Sequence, residues 1–156
     1  MEVLRRRKFE AYGIDLSKWC IKHSPVGKYL HFGSATSLPC KDQSVDVISC
    51  IDTFQYLNRD EAKKAVKELR RVTRKYLCFE SITWEDEKFS DPKENPDTIR
   101  KHNSLFTQEE LIELFKNAGF KLKKRRFLPR KIVGSMIKDR EYYEYDFSFN
   151  AIFEAI

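Results

Sequence analysis

Residues 45–50 read Val-Asp-Val-Ile-Ser-Cys, a β-branched and almost uniformly apolar run of the kind expected of a central strand covered on both faces. A helix follows it. Asn58 and Glu61 form a capping box, and Ala62, Ala65, Val66, Leu69 and Val72 recur at helical spacing with Lys, Arg and Glu between them. The helix leads into a second apolar strand over residues 76–82. Strand, helix and strand in that order pair the strands in parallel through a right-handed crossover. The unit commits the chain to an α/β sandwich. With 156 residues, 41% hydrophobic and 13% aromatic, the chain can bury a core of its own, so residues 1–156 read as one domain, and collagen, coiled coil and wholesale disorder are excluded.

On either side of this unit the signals are local. Val3, Leu4 and Phe9 fit one face of a helix that is already under way at Met1, since no capping residue precedes it, so the opening reads as truncated. Residues 12–16 read as a short buried strand, Ser17 caps a brief helix through Lys22, and residues 30–32 form another strand. A loop, Gly33-Ser-Ala35, and a turn over residues 38–44 follow. Residues 84–103 are polar, contain Pro92 and Pro96, and read as a long loop folding over a site. Beyond them, Thr107 and Glu110 form a second capping box and Phe106 with Leu111 a hydrophobic staple. Leu111, Leu114, Phe115 and Ala118 make the buried face, and Gly119 ends the helix. Strands are expected at residues 121–127 and 145–153.

The longest apolar run, residues 45–54, is broken by Asp46 and Asp52 and falls short of the roughly 20 residues a membrane helix needs. The basic start at Arg5, Arg6, Arg7 and Lys8 leads into Phe9, Glu10 and Ala11, which is not a signal peptide. A cytoplasmic protein without a membrane partner is expected. Cys20, Cys40, Cys50 and Cys78 lack any Cys-x-x-Cys pair and read as reduced core thiols, and no cluster has metal-ligand spacing. The formal charge is +6, and the densest basic run, residues 121–131, holds Lys121, Lys123, Lys124, Arg125, Arg126, Arg130 and Lys131. Two readings of it stand: a solvated edge strand blunted by lysines, or a track for nucleic acid.

The order of pieces resembles a known family. Tyr12-Gly-Ile-Asp-Leu-Ser17, then Gly33-Ser-Ala-Thr-Ser-Leu-Pro39, then Ser44-Val-Asp-Val-Ile-Ser-Cys50 resemble the class I S-adenosylmethionine-dependent methyltransferases of the type 11 kind. Glu68-Leu-Arg-Arg-Val-Thr-Arg74 is similar to the helix before that family's fifth strand, and residues 106–120 to its recurring helix before the sixth. The resemblance implies a Rossmann-like sandwich, its sheet mostly parallel with an antiparallel C-terminal strand. It implies S-adenosylmethionine as cofactor and methyl transfer to an acceptor, a small molecule first of all. Asp15 would accept hydrogen bonds from the cofactor's ribose hydroxyls, and Leu16 would pack on the adenine. Ser34 stands where the family often has an adenine-binding Asp, and Ala35 would offer its amide; a hydroxyl accepts more weakly than a carboxylate. Cys50, Ile51 and Asp52 fall where related enzymes wall the cofactor, and Phe54, Gln55 and Tyr56 where the substrate mouth opens. Tyr56 and His102 are the substrate-side candidates, His102 as a proton acceptor from the long loop. No residue declares itself as a catalytic base.

The departure from the family is at the front: its first strand and Gly-x-Gly-x-Gly loop have no counterpart here. That strand normally lies mid-sheet, between the strands ending at Asp15 and Cys50. Three explanations stand: a fragment of a longer product, a sheet closed by direct pairing or by a strand borrowed from an oligomeric partner, or a degenerate, non-catalytic interaction module binding nucleic acid or protein.

Overall fold

Along the chain run α1 (Glu2–Arg6), β1 (Gly13–Asp15), α2 (Lys18–His23), β2 (Leu30–Phe32), β3 (Val45–Ile51), α3 (Arg59–Val72), β4 (Thr73–Ser81), α4 (Gln108–Asn117), β5 (Phe120–Pro129) and β6 (Phe147–Ala155). The structure is a computed structural model describing residues 1–83, 105–129 and 147–156. The expected long loop and His102 lie outside the described residues. No helix among the described residues is long and apolar enough to cross a membrane.

Both long helices start where their sequences say. The Asn58 side chain accepts from the amides of Asp60 and Glu61 while Glu61 reaches back to the Asn58 amide, and Thr107 with Glu110 repeats the arrangement on α4. Each cap satisfies amides that a helix start would otherwise leave bare. Gly119, with φ of 93°, carries the chain out of α4 into β5. The buried face of α3, with Ala62, Ala65, Val66, Leu69 and Val72, packs on the same core as Leu111 and Phe115 of α4.

β3 and β4 pair in parallel, with Ile48 opposite Leu77, as the crossover helix requires. β6 then inserts antiparallel between β4 and β5, giving the order β3-β4-β6-β5. Among the described residues β5 is therefore an edge, and it carries part of the basic run. Lys123 pairs with Glu154 at 3.1 Å and Arg125 lies 3.9 Å from Glu109, so two of those charges are met within the chain.

The front of the chain forms a separate piece of sheet. β1 and β2 pair in parallel, Ile14 opposite His31, and among the described residues β1 pairs only with β2 and β3 only with β4. Direct pairing of β1 with β3 is not adopted. This corrects the expectation for β3: its inward side chains Ile48 and Cys50 meet the core, but Val47 and Ile51 on the other face are 51% and 52% exposed. A run apolar on both faces is covered here on one.

The two pieces are joined through the turn after β2. Ala35 and Leu38 pack against the main core. Arg71, on α3, donates to the carbonyls of Leu38 (3.0 Å) and Cys40 (2.8 Å) and to the carboxylates of Asp42 (2.7 Å) and Glu68 (2.7 and 2.8 Å). Glu68 in turn accepts from the Leu38 amide at 2.7 Å, and the Gln43 amide donates to the Arg71 carbonyl at 2.7 Å.

Candidate functional site

The sequence-derived candidates fall at the carboxyl ends of β1, β2 and β3, the side on which parallel sheets take ligands. Asp15 is the last residue of β1 and is exposed. Its Oδ1 accepts from the Ser17 amide at 2.7 Å, and the Ser17 hydroxyl accepts from the Cys20 amide at 3.1 Å, so the carboxylate is held where the chain turns into α2. The Gly33 amide donates to the Asp15 carbonyl at 3.2 Å, which keeps the ends of β1 and β2 together. Leu16 and Phe32 stand 64% and 56% exposed at these ends. Large apolar side chains on a strand terminus, next to a carboxylate, are what an aromatic ligand bearing hydroxyls would cover.

Ser34 opens the loop after β2, and its hydroxyl is already engaged: it pairs with the Thr36 hydroxyl at 2.8 Å and accepts from the Thr36 amide at 3.1 Å. That local turn draws on the lone pairs that an adenine amino group would need. Ala35 is half-buried against the core.

At the end of β3 the candidates part by side-chain parity. Ile51 is half-exposed, whereas the Cys50 side chain turns into the core at 7% exposure, so only its backbone can wall a ligand. Burial pushes the Cys50 thiol up to about 11. Of the four cysteines only Cys50 is buried and Cys20 is exposed, which corrects the reading of all four as core thiols. Iodoacetamide at pH 8, followed by mass spectrometry of the folded protein, is therefore expected to modify Cys20 first and Cys50 last, because a thiol of pKa about 11 is roughly one part in a thousand thiolate there. Early loss of the Cys50 thiol would contradict its placement.

Beyond Ile51 the chain turns at Asp52, with φ of 49°, into a 3-10 turn over Phe54–Tyr56. Phe54 is fully buried, Gln55 is 3% exposed, and Tyr56 stands half-exposed. The candidates thus form two groups: Asp15, Leu16, Ser34 and Ala35 on the smaller sheet, and Ile51, Asp52 and Tyr56 on the larger. Sequence reasoning missed Ser81, whose hydroxyl donates to Gln55 Oε1 at 3.2 Å across 26 positions. It also missed the flank of α2, where Trp19, 69% exposed, stacks on His23 with ring centroids 4.5 Å apart. The i, i+4 spacing of those two rings on a helix was the available signal.

Comparison with known proteins agrees with the fold. Residues 1–77 match the profile of a methyltransferase domain. No curated protein matches the sequence. Among solved structures, a methyltransferase of Haloferax volcanii in complex with its Trm112 activator superposes with TM-score 0.75 at 17% identity, over 99% of this chain and 75% of that one. A Thermotoga maritima protein described as a possible histamine N-methyltransferase gives 0.68 at 22% identity, over 97% and 75%. A Methanosarcina mazei S-adenosylmethionine-dependent methyltransferase gives 0.68 at 16%, over 93% and 81%. The fold is the Rossmann-like sandwich of these enzymes, parallel within the pairs β1–β2 and β3–β4, with β6 antiparallel to β4 and β5.

Proposed function

We propose that this chain, which has the fold of the S-adenosylmethionine-dependent methyltransferases and a methyltransferase domain over residues 1–77, transfers a methyl group from S-adenosylmethionine to a small-molecule acceptor in the cytoplasm. One observation carries the reading: an exposed carboxylate, Asp15, and an exposed aliphatic side chain, Leu16, at the carboxyl end of a parallel strand that ends beside a second one. That set fits an adenosine. The carboxylate can accept from both ribose hydroxyls, and Leu16 with Ile51 offers apolar surface to a purine and its thioether arm. Ser34 contributes less, since its hydroxyl is committed to Thr36.

The cofactor, when bound, supplies an electrophilic methyl group on sulfur. The chain's own task is to bring an acceptor atom to about 3 Å from that carbon along the line of displacement and to keep water away, which is catalysis by positioning. Tyr56, at the mouth, is the proposed acceptor contact, and His102 the proposed proton acceptor.

Calorimetric titration of S-adenosylhomocysteine tests the reading. Wild type is expected to bind saturably and Asp15→Ala to lose at least about tenfold in affinity, because one hydrogen bond to a charged acceptor is worth about 1.5 kcal/mol or more. A folded wild type that shows no heat at millimolar ligand would sink it.

A second reading, a non-catalytic interaction module, is supported by the position of β3 and of the basic strand β5 at the two edges of the larger sheet among the described residues. It is favoured if S-adenosylhomocysteine fails to bind while the same folded protein shifts single-stranded RNA in a salt-dependent way.

A further inference from the structure

The smaller sheet carries a second exposed feature, at the opposite end from the candidate site. Tyr12 precedes β1 and Tyr29 precedes β2, and the parallel register, with Gly13 opposite Leu30, sets the two rings side by side at the amino ends of the strands. His31 follows Tyr29 by two positions and so shares its face. The Tyr12 ring lies 6.5 Å from that of Tyr29, edge to face, and 5.8 Å from that of His31, centroid to centroid. Tyr12 is 57% exposed, His31 is exposed and Tyr29 is half-buried. Asp15 has the opposite parity on β1 and closes its other end, so these rings stand apart from the cofactor-side residues.

Cations flank the rings. The Arg5 guanidinium carbon lies 3.5 Å from the Tyr29 centroid and 5.3 Å from that of Tyr12. Its Nη1 donates to the Ala11 carbonyl at 2.6 Å, which holds the guanidinium in place. Lys28 Nζ lies 4.9 Å from the Tyr29 centroid. Lys28 above all, and Arg5 less, hold the Tyr29 hydroxyl below its ordinary value, with burial opposing them. Arg7 and Lys8, two and three positions beyond Arg5, are exposed where the chain leaves α1 toward Tyr12. The Tyr12 hydroxyl donates to Glu10 Oε1 at 3.2 Å, which engages the edge of the ring and not its face. Residues 1–32 hold seven Lys and Arg against three Asp and Glu.

Core packing does not account for this cluster, because Tyr12 and His31 face solvent, and cation–π pairs at such exposure add little stability. What the arrangement offers is stacking surface beside positive charge. Single-stranded nucleic acid is the complement of both: its phosphates meet cations, and every base has a face on which a tyrosine, a histidine or a guanidinium can stack. A duplex keeps its bases stacked on one another, and an acidic peptide brings carboxylates for the cations but nothing planar for the rings.

We propose that this face of the smaller sheet binds single-stranded nucleic acid, with Tyr12, Tyr29 and His31 stacking on bases and Arg5 and Lys28 meeting phosphates. The proposal does not depend on the cofactor reading, since it uses other residues at the other end of β1 and β2.

The test is fluorescence anisotropy of labelled 12-nucleotide oligouridine and oligodeoxythymidine with the full chain, each variant checked for folding by circular dichroism. Wild type should bind saturably at low salt, and log affinity should fall with log salt at a slope of about −2, as about three neutralised phosphates require. Tyr12→Ala should lose about tenfold in affinity and Tyr12→Phe nearly nothing, because the ring and not the hydroxyl does the stacking. Lys28→Gln should flatten the salt slope by about 0.7. Whichever oligonucleotide binds tighter identifies RNA or DNA as the source of the strand, and either supports the proposal. Replacing bases with 5-iodouridine and irradiating the complex should attach the strand to Tyr12, Tyr29 or His31, a readout that needs no variant. Tyr12→Ala binding like wild type, a duplex or polyglutamate binding as tightly as the single strand, or no binding at low salt would each overturn the proposal. So would a Lys123→Gln, Lys124→Gln double variant on β5 that loses more affinity than Tyr12→Ala, which would place the strand on the basic edge of the larger sheet.

Discussion

Phe115→Ala is expected to destabilise the protein by about 3 to 5 kcal/mol, the usual cost of emptying a buried phenylalanine site. The ring is fully buried on α4 and lies 4.5 Å from the Phe153 ring, 4.8 Å from Phe79, and 5.7 Å from both Phe54 and Phe120, centroid to centroid. Those neighbours come from the turn after β3, from β4, from β5 and from β6, so one deletion loosens the helix and three strands together. Edge-to-face pairs add a stabilisation beyond burial that no smaller side chain reproduces. For a domain whose whole stability is typically about 5 to 15 kcal/mol, the loss is a large fraction. Urea unfolding followed by circular dichroism measures it: the midpoint should fall sharply with little change in slope. Trp19→Ala is the contrast, since its ring is 69% exposed and its removal should change stability by no more than about 0.5 kcal/mol. A midpoint for Phe115→Ala close to wild type would mean that the aromatic cluster does not hold α4 to the sheet.

The helices were legible because their signals are local. Each of α3 and α4 is announced by a capping box and an apolar stripe within some fifteen residues, and both caps form as the side chains allow. The strands were legible as runs, and the register of β3 on β4 follows from the crossover. What residues 45–51 could not disclose is their cover. Apolar side chains at 47, 48, 50 and 51 mark a strand suited to burial on both faces, but the material that covers either face is written elsewhere in a chain. Here α3 and α4 cover the face of Ile48 and Cys50, while Val47 and Ile51 remain exposed.

Site residues divide along the same line. Asp15 and Ser17 were readable because the turn into α2 is made by side chains two and three positions apart. Ser34 was readable in position but not in availability: a hydroxyl can close a turn on the residue two positions ahead, and nothing in the sequence says whether it does. Cys50 was expected from the family resemblance to wall a ligand, yet parity within β3 turns its thiol inward. The link from Ser81 to Gln55 spans 26 positions and exists only because β3 and β4 end side by side.

Glu68 carries the second large effect, and its pH dependence fixes the sign. The Arg71 guanidinium above all, helped by the Leu38 amide, holds its carboxyl below the usual glutamate range against an opposing effect of burial that ranks between the two. A carboxylate with a depressed folded pKa contributes stability that is fully present above its unfolded value, near 4.3, and is lost as pH falls through the lower folded value. Among the described residues, protonation also leaves Arg71 with only Asp42 as a charged partner, and Asp42 is mostly exposed. The turn over residues 38–43 is held to α3 through these groups, and with it the loop carrying Ser34 and Ala35. Hydrogen exchange at the Leu38 and Gln43 amides, corrected for the intrinsic rate, should therefore show constant protection from neutral pH down to about 5 and a fall below about 4. Glu68→Gln should show at neutral pH the low protection that wild type reaches only in acid, about tenfold less at Leu38 if one charge-assisted hydrogen bond is lost, and no step on acidification. Glu110, also held low by Arg59, titrates in the same range, but its cap is at the far helix, so amides of α4 rather than of this turn should follow it. A variant whose turn stays as protected as wild type at pH 7 would show that the two pieces of sheet are joined by the packing of Ala35 and Leu38 alone. In that case the orientation of the loop beside Asp15 depends on the apolar core.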